Sequence, residues 1–201
     1  MLKLEEITKR YNIIYLDPPW FYNKRNLTDR LCGGVHAEYP VMQDDELRAL
    51  PVGSIAAKNC ALCMWVTCPR LPLGVELIEK WGFRYATVGF CWVKLNPKSR
   101  NIFFGPGYYT GSNVELILLG IKGSMEPIDK SISQVIVSER MEHSHKPAEA
   151  RERIVKMFGN LPRIELFARQ VAPGWDGWGL DYDESTPLQE PIQNKLFGDI
   201  L

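Results

Sequence analysis

At 201 residues, 45% of them hydrophobic, and with 24 basic side chains against 24 acidic ones, the chain has the makeup of a single globular domain with a substantial core. A formal net charge of zero excludes the global basic signature of a sequence-independent nucleic-acid binder, so any polyanion contact is expected to be local. Met1 to Arg10 lacks an apolar signal core, no later segment approaches membrane-spanning length, and the five cysteines have no secretory context, so a cytoplasmic protein without disulfides is expected.

The first element is a buried strand, Ile13-Ile14-Tyr15-Leu16, ending in Asp17-Pro18-Pro19-Trp20. In open α/β sheets ligands collect outside the carboxyl ends of such strands, which places Asp17 at a site mouth. The two prolines stiffen the backbone and exclude helix. A carboxylate beside a rigid carbonyl, that of Pro18, offers two acceptors at a fixed separation, which suits an exocyclic amine whose two hydrogens must both be held. Trp20 adds a flat face for a ring. The competing reading is a turn with a tryptophan lid.

Residues 21–38 read as a long loop, in which Lys24 and Arg25 could meet phosphates or simply face solvent. Asp44 to Leu50 is a short helix with an acidic first turn. Ala61 to Thr67 is a strand, Arg70 to Trp81 an amphipathic helix closed by Gly82, and Tyr85 to Lys94 a further strand, giving the rhythm of an α/β fold. Cys60, Cys63 and Cys68 have metal-like spacing, but they sit in a buried strand pattern with no ligand pair following, so no metal is expected. Leu95 to Asn113 is a connection that carries Lys98 and Arg100 with Tyr108 and Tyr109, a mixture suited to a flipped or single-stranded nucleotide, against the competing reading of an ordinary connection with the tyrosines packed beneath it. Val114 to Ile121 and Ile132 to Val137 are strands. Glu115 opens the first and, if buried, needs a lysine partner. Pro147 to Phe158 is a helix with Lys146 beside its N-terminus, and Arg163 to Ala168 is the last strand.

Together with Tyr39-Pro40-Val41-Met42, Met64-Trp65-Val66-Thr67, Cys91-Trp92-Val93-Lys94, His145-Lys146-Pro147 and Glu165-Leu166-Phe167-Ala168-Arg169, the Asp-Pro-Pro-Trp tetrapeptide resembles the MT-A70 family of adenine-N6 methyltransferases over Ile13 to Asp181. The resemblance implies a Rossmann-like α/β fold, a mostly parallel sheet flanked by helices with permuted motif order, in residues 1–182, followed by a tail, residues 183–201. It implies methyl transfer from S-adenosylmethionine to N6 of adenine. Asp17, Pro18, Pro19 and Trp20 would be catalytic and Tyr39, Trp92 and Lys94 would line the base pocket. Asp17, His145, Lys146, Arg169 and Asp181 would hold the cofactor, and Lys24, Arg25, Lys98 and Arg100 would meet nucleic acid. Glu115 aligns with an acidic residue near the family's active site. DNA is the preferred polymer, RNA the first alternative. A catalytically silent binding subunit is the second alternative, suggested by Leu180, where relatives carry asparagine, and by the few residues before Asp17. In the tail, Gln193, Leu196 and Phe197 resemble a sliding-clamp-binding peptide, against the competing reading of a segment packed on the body.

Overall fold

The computed structural model describes residues 4–22, 41–107, 109–141, 145–168 and 172–179. Expectations placed on Lys24, Arg25, Tyr39, Tyr108, Arg169, Leu180, Asp181, Gln193, Leu196 and Phe197 lie outside the described residues.

The chain runs β1 (Tyr11–Leu16), α1 (Asp44–Ala49), β2 (Ala56–Val66), α2 (Leu71–Lys80), β3 (Arg84–Leu95), β4 (Val114–Lys122), β5 (Val135–Glu139), α3 (Ala148–Phe158), β6 (Arg163–Leu166) and β7 (Asp176–Trp178). The described strands form one sheet in the order β5-β3-β4-β2-β1-β6-β7. Only β4 among them runs against the rest, pairing antiparallel with β2 and β3, while the other neighbours pair parallel. The mostly parallel, helix-flanked α/β sheet expected from the sequence is therefore the observed fold.

Alternation along the central strands explains the layers. Successive side chains of a strand point to opposite faces, so a run that is apolar at every position needs a cover on both. Ile14, Leu16, Leu62, Met64 and Val66 join the core under α2, with Leu77 and Ile78. Ile13, Tyr15, Ala61, Cys63 and Trp65 join the opposite core with Ile154 and Phe158 of α3. Cys60 belongs to the first core and Cys63 to the second, so their thiols cannot converge on one ion.

Helix α2 carries Pro72 in its first turn, where a missing N–H costs nothing, and ends before Gly82 at φ +84°, a conformation glycine adopts without strain. Helix α3 begins after Pro147, which is extended (φ −61°, ψ 132°) and caps the helix from outside rather than joining its first turn.

Several boundaries differ from expectation for tertiary reasons. Strand β2 begins at Ala56, an extension hidden in the sequence by polar Lys58 and Asn59, which lie where its pairing with β1 shifts register; Asn59 accepts from the Asn12 side chain (2.9 Å) and the Ser124 N–H (3.0 Å). Strand β5 starts late, at Val135, because Ser131 folds back onto Asp129 and Arg153 holds the carbonyls of Ser133 and Val135. Strand β6 stops at Leu166 because Phe167 takes φ +60°, unusual for a side chain of its size, and the next N–H, that of Ala168, donates to Trp178 (3.0 Å). Strand β7 was not expected at all. Its three residues carry no periodicity, and it is tied in by Asp176, which accepts from Lys9 and from the Tyr11 hydroxyl, both at 2.7 Å.

Candidate active site

Leu16 lies in register between Met64 of β2 and Leu166 of β6, so Asp17 leaves the sheet at the carboxyl edge shared by the parallel strands. Pro18 and Pro19 then turn the chain sharply: the Trp20 N–H donates to the Pro18 carbonyl (2.8 Å) and the Met42 N–H to the Pro19 carbonyl (2.9 Å). The rigid Pro18 carbonyl is thus partly committed within the turn, and its second acceptor direction is what it can offer a ligand. Trp20 is only 6% exposed and packs in the same core as Leu16 and Leu47, so it supports the turn from beneath instead of presenting an open face.

Asp17 keeps its side chain 32% exposed and receives the Lys146 ammonium at 2.7 Å, while the Lys146 side chain itself is 9% exposed. Lys146 reaches this place because the extended Lys146-Pro147 segment precedes α3, whose apolar face is fixed on the sheet by Ala150, Ile154 and Phe158. It also lies 3.2 Å from Glu115, which in turn pairs closely with Lys94. The order Asp17, Lys146, Glu115, Lys94 is a ladder of alternating charge across the carboxyl edge. The reversed direction of β4 is what brings Glu115 there, because that strand starts where its neighbours end. The buried Glu115 has two lysine partners where the sequence argument asks for one.

Burial by itself would raise the Glu115 carboxyl, but Lys146 and Lys94 outweigh it and hold it below the usual carboxylate range. Burial would lower Lys146, yet Asp17 and Glu115 more than compensate and raise it above its ordinary value.

Trp92 is buried, packs edge-on against Trp65 at 6.0 Å between ring centroids, and donates its indole N–H to the Ser138 carbonyl (3.3 Å). The Lys94 ammonium lies 5.2 Å from the Trp92 ring. Trp92 and Lys94 are therefore brought to the site's edge, with Trp92 as its wall. His145 is partly buried next to Lys146. Lys98 and Arg100 are exposed on the connection that leaves β3 at this same edge; Arg100, at φ +56°, pairs with Glu139 at 3.3 Å.

A second layer was not legible as functional in the sequence. The Trp65 indole N–H donates to the fully buried Tyr15 hydroxyl, and the Lys146 ammonium stands 5.7 Å from the Trp65 ring. Arg151 of α3 grips both oxygens of Glu165 on β6, each at 3.1 Å, and lies 5.8 Å from the Tyr15 ring. This pair ties the first turns of α3, and hence Lys146, to the strand beside β1. Its only trace in the sequence was the position of Glu165 at the head of a family motif.

Burial pushes Glu165 up to about 7, against the pull of Arg151 and with the help of the nearby Asp17 charge. An acid raised in the folded state contributes stability at low pH that is lost as pH rises through its folded value. Without Arg151 that value rises further. The stability deficit of Arg151→Met relative to wild type is therefore expected to be constant below pH 7 and to grow by up to about 1.4 kcal/mol per pH unit above it, read from urea unfolding at pH 6 and pH 8.5. A deficit that shrinks toward pH 8.5 would remove the pair from this role.

Among the described residues no group of three or more His, Cys, Asp or Glu side chains is arranged to hold a metal ion, and no helix is long and apolar enough to cross a membrane.

The MT-A70 family model matches residues 11–181. Type II methyltransferase M.MunI of Mycoplasma sp is 34% identical, over 94% of this chain and 84% of its own length. N(6)-adenosine-methyltransferase MT-A70-like of Arabidopsis thaliana is 32% identical over 95% of this chain and 26% of its own. The human N(6)-adenosine-methyltransferase catalytic subunit METTL3 is 30% identical over 88% of this chain and 29% of its own. The chain thus spans most of M.MunI but only a minor part of the two eukaryotic relatives. With the Asp17-Pro18-Pro19-Trp20 turn at the carboxyl edge of a mostly parallel sheet, and a match over nearly its whole length, the chain belongs to the MT-A70 family of methyltransferases.

Proposed function

We propose that the chain transfers a methyl group from S-adenosylmethionine to N6 of adenine in DNA, as a cytoplasmic enzyme. The observation that carries this reading is the pairing of a partly open Asp17 with Lys146 at the carboxyl edge of β1. The donor set fits the cofactor: a carboxylate for its ammonium or sulfonium and an ammonium for its carboxylate stand side by side. Arg169 and Asp181 belong to the same proposed set, with His145. When bound, the cofactor supplies a methyl carbon made electrophilic by the adjoining sulfonium.

The adenine amine is a poor nucleophile because its lone pair is delocalised into the ring. Asp17 accepting one N–H, and the remaining lone pair of the Pro18 carbonyl accepting the other, favour the tetrahedral form in which that pair is localised. Trp92 and Lys94, with Tyr39, would bound the ring. Lys146 neutralises Asp17 until a cationic ligand arrives, so the carboxylate is held in place without being stranded. The rest is alignment for in-line displacement, which needs orientation more than acid-base chemistry.

DNA is preferred because the match covers 84% of the type II methyltransferase against 29% of METTL3. RNA is the second reading, favoured by the N(6)-adenosine-methyltransferase relatives. Expression of the chain in cells, followed by mass spectrometry of hydrolysed DNA and RNA, is expected to show N6-methyladenine rising in DNA. A rise confined to RNA selects the second reading. No rise in either, together with no calorimetric uptake of S-adenosylmethionine by the purified chain, leaves a silent subunit.

A further inference from the structure

The connection from β3 to β4 leaves and re-enters the sheet at the carboxyl edge, next to the outer end of the charge ladder. The Phe103 N–H donates to the carbonyl of Lys94 at 2.7 Å, and the Lys94 N–H to Asn113 at 3.0 Å. Beyond that root the segment is a narrow finger. Gly105 and Ser112 exchange hydrogen bonds of 3.1 and 3.0 Å, Leu95 bridges to Ile102, and Asn96 and Asn101 are joined at 2.9 Å.

Its side chains alternate. Phe103 turns in, against the Arg140 guanidinium 4.1 Å from its ring centre. Ile102 and Phe104, two positions apart and so on one side, turn out and are 57% and 76% exposed. The Phe104 ring lies on the backbone of Gly111, where a Cβ would come within 2.3 Å of it, so the ring is seated on one side and open on the other. Large apolar side chains held rigidly in water on a hydrogen-bonded finger mark a contact surface.

Charge narrows the choice of partner. Lys98 and Arg100 are exposed on the same connection just before the two apolar side chains, Arg100 meets Glu139, and Arg140 lies on the inward side against Phe103. An exposed aromatic on a connection that also carries exposed cations matches a base stack between phosphate strands better than it matches an apolar protein face. The finger also stands at a useful distance. It is rooted three strand spacings from β1, about 14 Å at about 4.8 Å each, comparable with a major groove about 12 Å wide.

We propose that Phe104 is a wedge that enters duplex DNA and fills the gap left when the target adenine leaves the stack for Asp17, with Ile102 packing beside it. This inference deepens the proposed DNA-adenine activity and rests on it. A base must leave the duplex before its amine can be reached, and replacing its stacking lowers the cost of that step.

The test uses the full chain with the same genomic DNA, native or heat-denatured. Phe104→Ala is expected to slow methylation of native DNA about 10- to 100-fold, from the worth of one aromatic–base stack, and of denatured DNA less than about threefold. Phe104→Leu, which keeps an apolar wedge, should recover much of the native rate. Equal losses on both forms, or none on either, overturn the proposal. So does a fall in native rate accompanied by a change in molecular mass by light scattering, which would make the finger a contact between copies of the chain. A binding readout separates the wedge from the chemistry: by anisotropy, wild type should prefer duplexes carrying an abasic site in place of adenine over intact ones, and Phe104→Ala should lose that preference. Preference without methylation sinks the methyltransferase reading and keeps the wedge, whereas methylation without preference does the reverse.

Discussion

Asp17→Ala is expected to reduce methyl transfer by at least about a thousandfold while leaving the fold intact. The magnitude follows from removing a preorganised group aimed at charge that develops in the transition state, where single-group losses run from about 10² to 10³, with the positioning of the amine lost in addition. The fold should survive because Asp17 lies at the end of β1 and not within it, and because Lys146 retains Glu115 at 3.2 Å when Asp17 is gone. Asp17→Asn is the sharper variant, since it preserves shape but turns one acceptor into a donor facing an N–H. Single-turnover rates with unfolding curves on the same preparations check both points. Turnover near wild type in either variant would take Asp17 out of the mechanism.

Lys146→Met is expected to be the most destabilising change in the site. It leaves Asp17 without the ammonium 2.7 Å away and Glu115 with Lys94 alone, and removing one partner of a buried pair costs about 3–5 kcal/mol. The pH dependence has a definite sign. Glu115 is held below the ordinary carboxylate range in the wild type, so it contributes stability that is present above that range and lost as pH falls through its depressed value. Without Lys146, burial pushes the same carboxyl upward. The deficit should therefore be full at pH 7 to 8 and shrink as pH falls through and below the ordinary carboxylate range, as measured by denaturant unfolding. A deficit independent of pH would mean that Lys146 acts by packing alone. Lys146→Arg should recover much of the stability, because the charge is kept, but not the full rate, because a planar fork does not reproduce a compact ammonium.

These two variants separate roles that the wild-type geometry joins. Asp17→Ala is expected to tell mostly on chemistry and little on stability, Lys146→Met on both. Arg151 and Glu165 sit one layer further out and fix the helix from which Lys146 reaches. Their effect is expected mainly in unfolding above pH 7, which makes them a control for changes that are structural only.

The residues themselves determined the α/β class, the burial of Ile13 to Leu16, the end of α2 before Gly82, and the exposure of Asp17 at a strand end. Each of these depends on local sterics or on period-two alternation, which a short window of sequence contains. Adenine methylation as the chemistry came from motif resemblance, because a carboxylate beside two prolines fits a plain turn as well. Tertiary structure decided the rest. The antiparallel insertion of β4 turns Glu115 from an isolated acid at a strand's start into the bridge between Lys94 and Lys146, residues 52 positions apart in the sequence. Beyond the place of Glu165 at the head of a family motif, neither the Arg151 grip on Glu165 nor the pairing of β7 with β6 has a sequence signal, since both arise from registers between elements. Trp20 reads as a flat face for a ring and is instead a packed side chain, because a tryptophan in sequence shows how much surface it can bury but not which neighbours will bury it.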